Sequence, residues 1–319
     1  MSGPRLLVTG RELAPGQREE ILQVAPGAEV AVVPVLDLDD PTHRELLSAA
    51  EVVAGELTDE QAKLAERLRW LHLWTAGADT LPPALLGSGA AITSSSGNGA
   101  VPLAEHAMML MMMLDRDVPR AFRAQQRSEW DRFRHGELAG ATLGIVGLGR
   151  IGAELAVRAR AFGMRVLGVR NRPDRPVEGV ERVYGPAELR TMLPECDFVV
   201  VTAPLTPATR GMLGEAEFRA MKPTARYLCV SRGALADTAA LLCALREGWI
   251  AGAGLDAHEV EPLPADSPFW TLPNVVVTPH HGATTPGTPR RGFEILLAGL
   301  GAYLAGEELP NLVDPAVGY

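Results

Sequence analysis

Cysteine is scarce in this chain: three in 319 residues, at positions 196, 229 and 243. So few thiols, so widely spaced, fit neither a disulfide framework nor a zinc site, and a reducing cytoplasm is the expected compartment. No metal is expected. Long apolar runs are lacking too. The most apolar stretch, 107–114, is too short to span a bilayer. No basic start followed by an apolar run marks a secretory leader, so no membrane partner is expected. Basic charge is in deficit: 30 Lys and Arg against 39 Asp and Glu leave a net charge of −9. That balance argues against a nucleic-acid partner. It also makes any local basic cluster informative.

What is present is an ordinary globular composition, 47% hydrophobic and 22% charged, in a chain long enough for two domains. Apolar runs at 5–9, 29–34, 51–54, 69–74 and 90–93 alternate with charged helical stretches, the pattern of a small parallel α/β domain. Small polar residues at 94–99 read as a linker or loop. A helix is expected over 102–113, its methionines serving core or subunit packing. A second α/β domain is expected from strands at 142–146, 165–169, 198–201, 227–230, 252–255 and 275–278. The last segment, 291–319, is one helix and a short tail, too short for a third domain. It is expected to return to the first domain and make it discontinuous. The fold class is therefore α/β, with two doubly wound Rossmann-like domains. Residues 1–98 and 291–319 form a small flavodoxin-like substrate domain, and residues 99–290 form the dinucleotide-binding domain.

Residues 147–152 read Gly-Leu-Gly-Arg-Ile-Gly, directly after the apolar run 142–146 and directly before an Ala- and Arg-rich helical stretch. In that setting Gly147 permits a tight turn, Gly149 lets backbone approach a pyrophosphate, and Gly152 lets the helix pack close to its strand. Ligands of doubly wound sheets bind beyond the carboxyl ends of the strands. The residues that follow the later strands are Ser231, Arg232 and Gly233, then Asp256 and Glu261, then Pro279 and His280. A guanidinium, a carboxylate and an imidazole thus leave one sheet edge together. Singly, each has a bland reading: a surface ion pair, a structural histidine (His281 stands next door), a loop acid before a proline. Jointly they suit reduction of a 2-keto acid. Arg232 would hold the substrate carboxylate and polarise its carbonyl. His280 would protonate the developing alkoxide. Glu261 would hydrogen-bond the imidazole and keep it charged.

Six segments carry a resemblance over nearly the whole chain: 147–152, 203–211, 230–233, 254–256, 261–263 and 278–280. In order and spacing they are similar to the D-isomer-specific 2-hydroxyacid dehydrogenases, and Arg170 and Arg172 in place of an acid resemble the glyoxylate/hydroxypyruvate reductase branch. The resemblance implies two domains with substrate and cofactor in a cleft between them. It also implies a homodimer built around the helix that starts near Ala104, Glu105 and His106. It makes Arg232 the substrate arginine, His280 the acid/base and Glu261 its partner. It places Asp256 toward the nicotinamide carboxamide. With the glycine turn and Arg150, it puts Ile151, Thr202, Ala203, Pro204, Thr209, Val230, Ser231 and Gly282 about the cofactor. Backbone amides of a small-domain loop, here 74–79, would hold the substrate carboxylate, with Ala76 and Gly77 the candidates and Asn98 nearby. Some positions depart from the family pattern. His258 stands where a bulky apolar residue is usual, and 282–285 is a variant of the usual Gly-rich turn. Ala76 replaces the lysine of phosphite dehydrogenases, which argues against phosphite, and the substrate motifs of the formate enzymes are missing.

An NAD site places an acid at the end of the second strand, about 20 residues past the turn, to bind the ribose hydroxyls. Here Arg170, Asn171 and Arg172 stand there, Arg170 eighteen residues past Gly152, and no acid appears before Asp174. Two guanidinium groups suit the 2′-phosphate of NADP, so NADP(H) is expected to be preferred and NAD(H) to be possible. Two rival readings are a non-catalytic nicotinamide-sensing scaffold of the same fold and a methyltransferase using the turn for S-adenosylmethionine. Neither needs the set of Arg232, Glu261 and His280.

Overall fold

A computed structural model describes residues 3–78 and 81–314. The chain begins with β1 (Arg5–Thr9), α1 (Gln17–Val24), β2 (Glu29–Val33), α2 (Pro41–Ala49), β3 (Val52–Ala54), α3 (Asp59–Leu64), β4 (Trp70–Leu73), α4 (Pro83–Leu86) and β5 (Ala91–Ser94). The middle of the chain holds α5 (Ala100–Asp115), α6 (Val118–Gln126), β6 (Thr142–Val146), α7 (Arg150–Ala161), β7 (Arg165–Val169), β8 (Arg182–Tyr184) and α8 (Leu189–Met192). It continues with β9 (Phe198–Val201), α9 (Glu215–Ala220), β10 (Arg226–Cys229), α10 (Thr238–Glu247), β11 (Gly252–Leu255) and β12 (Val275–Val277). The last helix is α11 (Gly287–Ala305).

By contact density the chain divides into two units: residues up to Asn98 together with those from Pro286 onward, and Gly99–Thr285. The first unit contains a parallel sheet of order β2-β1-β3-β4-β5. Side chains alternate across it. Leu7, Val53 and Leu71 enter a core on one face, while Leu6, Val8, Val52 and Trp70 enter a second core on the other with Phe293, Leu296 and Leu300 of α11. That two-sided burial is why these strands read as nearly continuous apolar runs.

The second unit contains a parallel sheet of order β12-β11-β10-β9-β6-β7-β8. Its order reverses between β6 and β9, which opens a crevice beyond their carboxyl ends. Cores again fill both faces, with Val146, Val199, Val201 and Leu255 on one side and Leu143, Ile145, Val200 and Leu228 on the other. Cys196 and Cys229 are buried, and Cys243 is exposed.

Past the end of β5, segment 94–99 is a loop, as the sequence reading expected, and three other features differ from that reading. The loop is well packed: Ser94, Ser95 and Asn98 are buried, and the Ser95 hydroxyl donates to the Leu73 carbonyl at 3.0 Å. Strand β8 had no apolar run to announce it, because it is three residues long and exposed at its first. Helix α6 had a proline in its first turn, which reads as a break although a first turn tolerates it. The last helix starts at Gly287, four residues before the expected 291. Residues 315–319 of the expected tail lie outside the described residues.

Candidate active site

The glycine turn joins β6 to α7 as its spacing implies. Gly147 sits at φ +105°, a conformation open to glycine, and a Cβ there would collide with the backbone of Thr202 and Ala203 after β9. Gly152 lies against the carbonyl of Gly147, where a Cβ would not fit either. Gly149 differs: a Cβ built on it meets nothing within 4 Å. Gly149 is also the N-cap of α7, and no side chain caps that helix. A helix N-terminus with no side-chain cap is a place that attracts phosphate. The residues present therefore fit a dinucleotide.

The segments after β7, β9 and β10 carry further cofactor candidates. The amides of Gly147 and Leu148 both donate to the Val169 carbonyl, at 3.0 and 3.3 Å, which ties the turn to the end of β7. Arg170 follows at once, partly buried, its own amide donating to the Tyr184 carbonyl at 3.1 Å. Asn171, Arg172 and Arg150 are exposed, and Ile151 is partly buried. The Thr202 hydroxyl donates to the Gly147 carbonyl at 2.6 Å. The Thr209 hydroxyl donates to the Pro204 carbonyl at 2.7 Å, shaping the loop past Ala203. Val230 and Ser231 are buried past β10, with the Ser231 hydroxyl on the Val201 carbonyl at 3.2 Å.

Arg232, Glu261 and His280 all belong to the Gly99–Thr285 unit. The register pairs Cys229 with Leu255 and Leu255 with Val277, so the segments carrying them leave the sheet at one level. Arg232 is extended and partly buried, with Nη1 on the Ser231 carbonyl at 2.9 Å. Next to it Gly233 lies so close to the backbone of His258 that a Cβ would collide with it. The Arg232 turn and the Glu261 loop are thereby packed together. Glu261 accepts the His258 amide at 2.8 Å, and both its carboxylate oxygens face Nδ1 of His280, at 2.8 and 3.0 Å. His280 itself adopts φ +51°, rare for a side-chain-bearing residue, and the surrounding contacts must hold it there. Burial pushes the Glu261 carboxyl up. The His258 amide and the His280 ring more than offset this, so its pKa lies below the ordinary glutamate value. With Nδ1 turned to Glu261, Nε2 of His280 is the nitrogen left for a reacting group. The pair is somewhat over one-third exposed, at 39% and 37%, and so is open to solvent.

Asp256 is fully buried, at 0% exposure. Its Oδ1 accepts from the Thr278 hydroxyl at 2.6 Å and the His281 amide at 3.1 Å, and its Oδ2 accepts the Gly282 amide at 3.0 Å. Nε2 of His106 lies 3.3 Å from Oδ1. Burial raises the Asp256 pKa, but this ring of donors drives it well below the usual range, so the carboxyl stays ionised. His106, Asp256 and His281 also bring three potential metal-ligand atoms within 4.8 Å of one another. In this structure hydrogen bonds to the turn account for the carboxylate. Gly282 is buried against Asp256, Leu103 and His106.

The remaining candidates belong to the first unit. The Thr75 amide donates to Glu56 at 3.1 Å and its hydroxyl to the Gly77 carbonyl at 3.0 Å, leaving Ala76 exposed and Gly77 partly buried. Nδ2 of Asn98 holds the Trp74 carbonyl at 3.2 Å. Asp79, in the same loop, lies outside the described residues. The sequence reading gave no role to His106 and Thr278 and left that of His258 open. All three touch the turn that carries His280. The signal available in sequence was His258 itself, a polar residue at a usually apolar position.

A sheet whose order reverses at an uncapped glycine turn, with an imidazole–carboxylate pair on the same edge, defines a nicotinamide-dependent oxidoreductase. The family description "D-isomer specific 2-hydroxyacid dehydrogenase, NAD binding domain" matches residues 108–282. A glyoxylate reductase from Korarchaeum cryptofilum is 38% identical over 287 residues, covering 86% of this chain and 85% of its own. Among solved structures, an NADPH-dependent glyoxylate/hydroxypyruvate reductase from Sinorhizobium meliloti, in complex with NADP and sulfate, matches with TM-score 0.82 and 29% identity over 99% of this chain and 100% of its own. A D-isomer specific 2-hydroxyacid dehydrogenase from Xanthobacter autotrophicus, in complex with NADPH and MES, matches with TM-score 0.84 and 28% identity over the full length of both chains. The chain belongs to the D-isomer specific 2-hydroxyacid dehydrogenase family.

Proposed function

We propose that this protein reduces small 2-keto acids, of the glyoxylate and hydroxypyruvate type or somewhat larger, to D-2-hydroxy acids with NADPH. The observation that carries the reading is the Glu261–His280 pair, 2.8 Å apart on the edge where the glycine turn emerges. The nicotinamide cofactor supplies the hydride when bound. Gly147, Gly149, Gly152 and the first turn of α7 would hold its pyrophosphate. Arg170 and Arg172 would pair with a 2′-phosphate, with Arg150 close in sequence. Arg232 would bind the substrate carboxylate and polarise the keto oxygen through its forked donors. Nε2 of His280 would give its proton to that oxygen as negative charge develops, and Glu261 would steady the imidazolium. Buried and ionised, Asp256 would order the His281–Gly282 turn beside the nicotinamide end of the site. The Gly99–Thr285 unit is then the cofactor domain and the other unit the substrate domain, in which the amides of Ala76 and Gly77 and the Asn98 side chain are the substrate-binding candidates. A nicotinamide-sensing scaffold would have no use for a proton donor on this edge.

A cytoplasmic homodimer completes the reading. Met109 and Met112 of α5 are partly exposed, and Phe122 and Trp130 more so, which supports an apolar subunit contact there. Among the described residues no helix is long and apolar enough to cross a membrane. The test is an initial-rate comparison of NADPH and NADH with glyoxylate, hydroxypyruvate, pyruvate and phenylpyruvate, for the native protein and His280→Ala. The expected result is NADPH-dependent turnover that falls roughly 100- to 10,000-fold in His280→Ala while NADPH still binds. Turnover retained by that variant would remove the acid role. Cofactor binding without reduction of any keto acid would favour the scaffold.

A further inference from the structure

His280 sits in a left-handed backbone conformation between Pro279 and His281. A residue is not held there by local preference, because φ > 0 is disfavoured for a side-chain-bearing residue. Something outside the turn must hold it, and the neighbouring residue Thr278 shows what does. Thr278 directly follows β12, at the point where the turn departs. Its backbone carbonyl faces Nε2 of His258 at 3.0 Å. Its hydroxyl faces Nε2 of His106 at 3.0 Å on one side and donates to Asp256 at 2.6 Å on the other.

The proton inventory fixes the direction of each bond. The Thr278 hydroxyl has one proton, and an ionised Asp256 has none, so the hydroxyl donates to the carboxylate. It must therefore accept from His106, whose Nε2 carries a proton. A carbonyl only accepts, so Nε2 of His258 is protonated as well. Asp256 then takes the amides of His281 and Gly282 on the far side of His280. The same His258 whose ring holds Thr278 gives its amide to Glu261. Both halves of the Glu261–His280 pair are thus referred to one residue.

We infer that His106 and His258 are positioning residues that clamp Thr278 from two sides and so hold His280 against Glu261. His106 reaches the turn from α5, through the Thr278 hydroxyl and Asp256. His258 reaches it from the loop after β11, through the Thr278 carbonyl. Neither ring touches the Glu261–His280 hydrogen bond directly. This inference rests on the reading of His280 as the proton donor.

The experiment measures steady-state rates with NADPH and glyoxylate, together with NADPH affinity by fluorescence titration. The variants are His106→Ala, His106→Gln, His258→Phe and Thr278→Val, with His280→Ala as reference. Loosening a reacting group by an ångström costs up to about 100-fold in rate. His106→Ala and His258→Phe are expected to lose kcat by roughly 10- to 100-fold, with the glyoxylate KM and the NADPH Kd within about twofold of native. His106→Gln should recover part of the loss, because its amide can still donate to Thr278. Full kcat in His106→Ala and His258→Phe overturns the clamp. So does a loss confined to NADPH affinity, which would assign the network to the cofactor. Thr278→Val keeps the shape and removes only the hydroxyl, so it decides the matter if a histidine variant does not fold. Retained turnover in His280→Ala would instead remove the acid assignment. An inactive His280→Ala beside fully active clamp variants would leave that assignment standing and sink this inference alone.

Discussion

Gly147 and Gly149 stand two residues apart and are glycine for opposite reasons. Gly147 has no room for a Cβ and no side-chain-compatible φ, whereas Gly149 has open space where a Cβ would go. Gly147→Ala is therefore expected to lower the melting temperature, at a cost of about 1–3 kcal/mol from the backbone conformation alone. Gly149→Ala is expected to melt close to the native temperature yet bind NADPH at least about tenfold more weakly, since its methyl group occupies the approach of the phosphates. Calorimetry and NADPH titration on the two variants separate the roles. Equal loss of stability in both would refute the distinction. This turn was legible in sequence because its six residues are contiguous and each spacing has a local cause. The contact between His106 and Thr278 was not legible, because 172 residues separate the partners and no local pattern links them.

Among the elements, the inner strands were legible because burial on both faces leaves uninterrupted apolar runs. The loop at 94–99 was legible but its burial was not, because small polar residues suit a solvated loop and a buried hydrogen-bonded corner equally well. That corner has a consequence for acid stability. On β4, His72 is nearly fully buried beside Trp70 and Trp74, with Nδ1 at 2.9 Å from the Thr93 hydroxyl and Nε2 at 3.1 Å from the Ser95 hydroxyl. The Thr93 oxygen accepts the Trp70 indole N–H and the Ser95 hydroxyl donates to Leu73, so the ring is satisfied as a neutral group. Burial lowers its pKa to about 4, against about 6.5 in an unfolded chain. Between those values the unfolded chain holds a proton that the folded chain excludes, so stability falls as pH drops through that window. The shift corresponds to about 3 kcal/mol. Melting temperatures recorded from pH 7 to 4 should fall more steeply for the native protein than for His72→Gln. Parallel curves would show that another group governs the acid limb.

At the scale of the whole molecule, a chain of net charge −9 gathers Arg150, Arg170 and Arg172 around one glycine turn. Against that background the cluster is expected to read the extra charge of NADP rather than to attract anions at large. Arg170→Asp should raise the KM for NADPH and leave that for NADH nearly unchanged. Added salt should narrow the preference in the native protein, because exposed charge pairs are screened over about 8–10 Å. An unchanged NADPH/NADH ratio in the variant would mean that the loop does not sense the phosphate. The two-unit division of the chain follows from its length and its repeated strand–helix alternation. Which side chains meet beyond the sheet edge follows only from register, which pairs β10, β11 and β12 at one level.

The thiols give this molecule a practical handle. Cys196 and Cys229 are enclosed, and burial lifts the pKa of both, that of Cys196 to about 12. Neither offers a reactive thiolate near neutral pH. Cys243 stands on the outer side of α10, whose inner side is formed by Leu241, Ala244 and Leu245. Of the three, Cys243 is therefore the attachment point for a maleimide fluorophore or spin label.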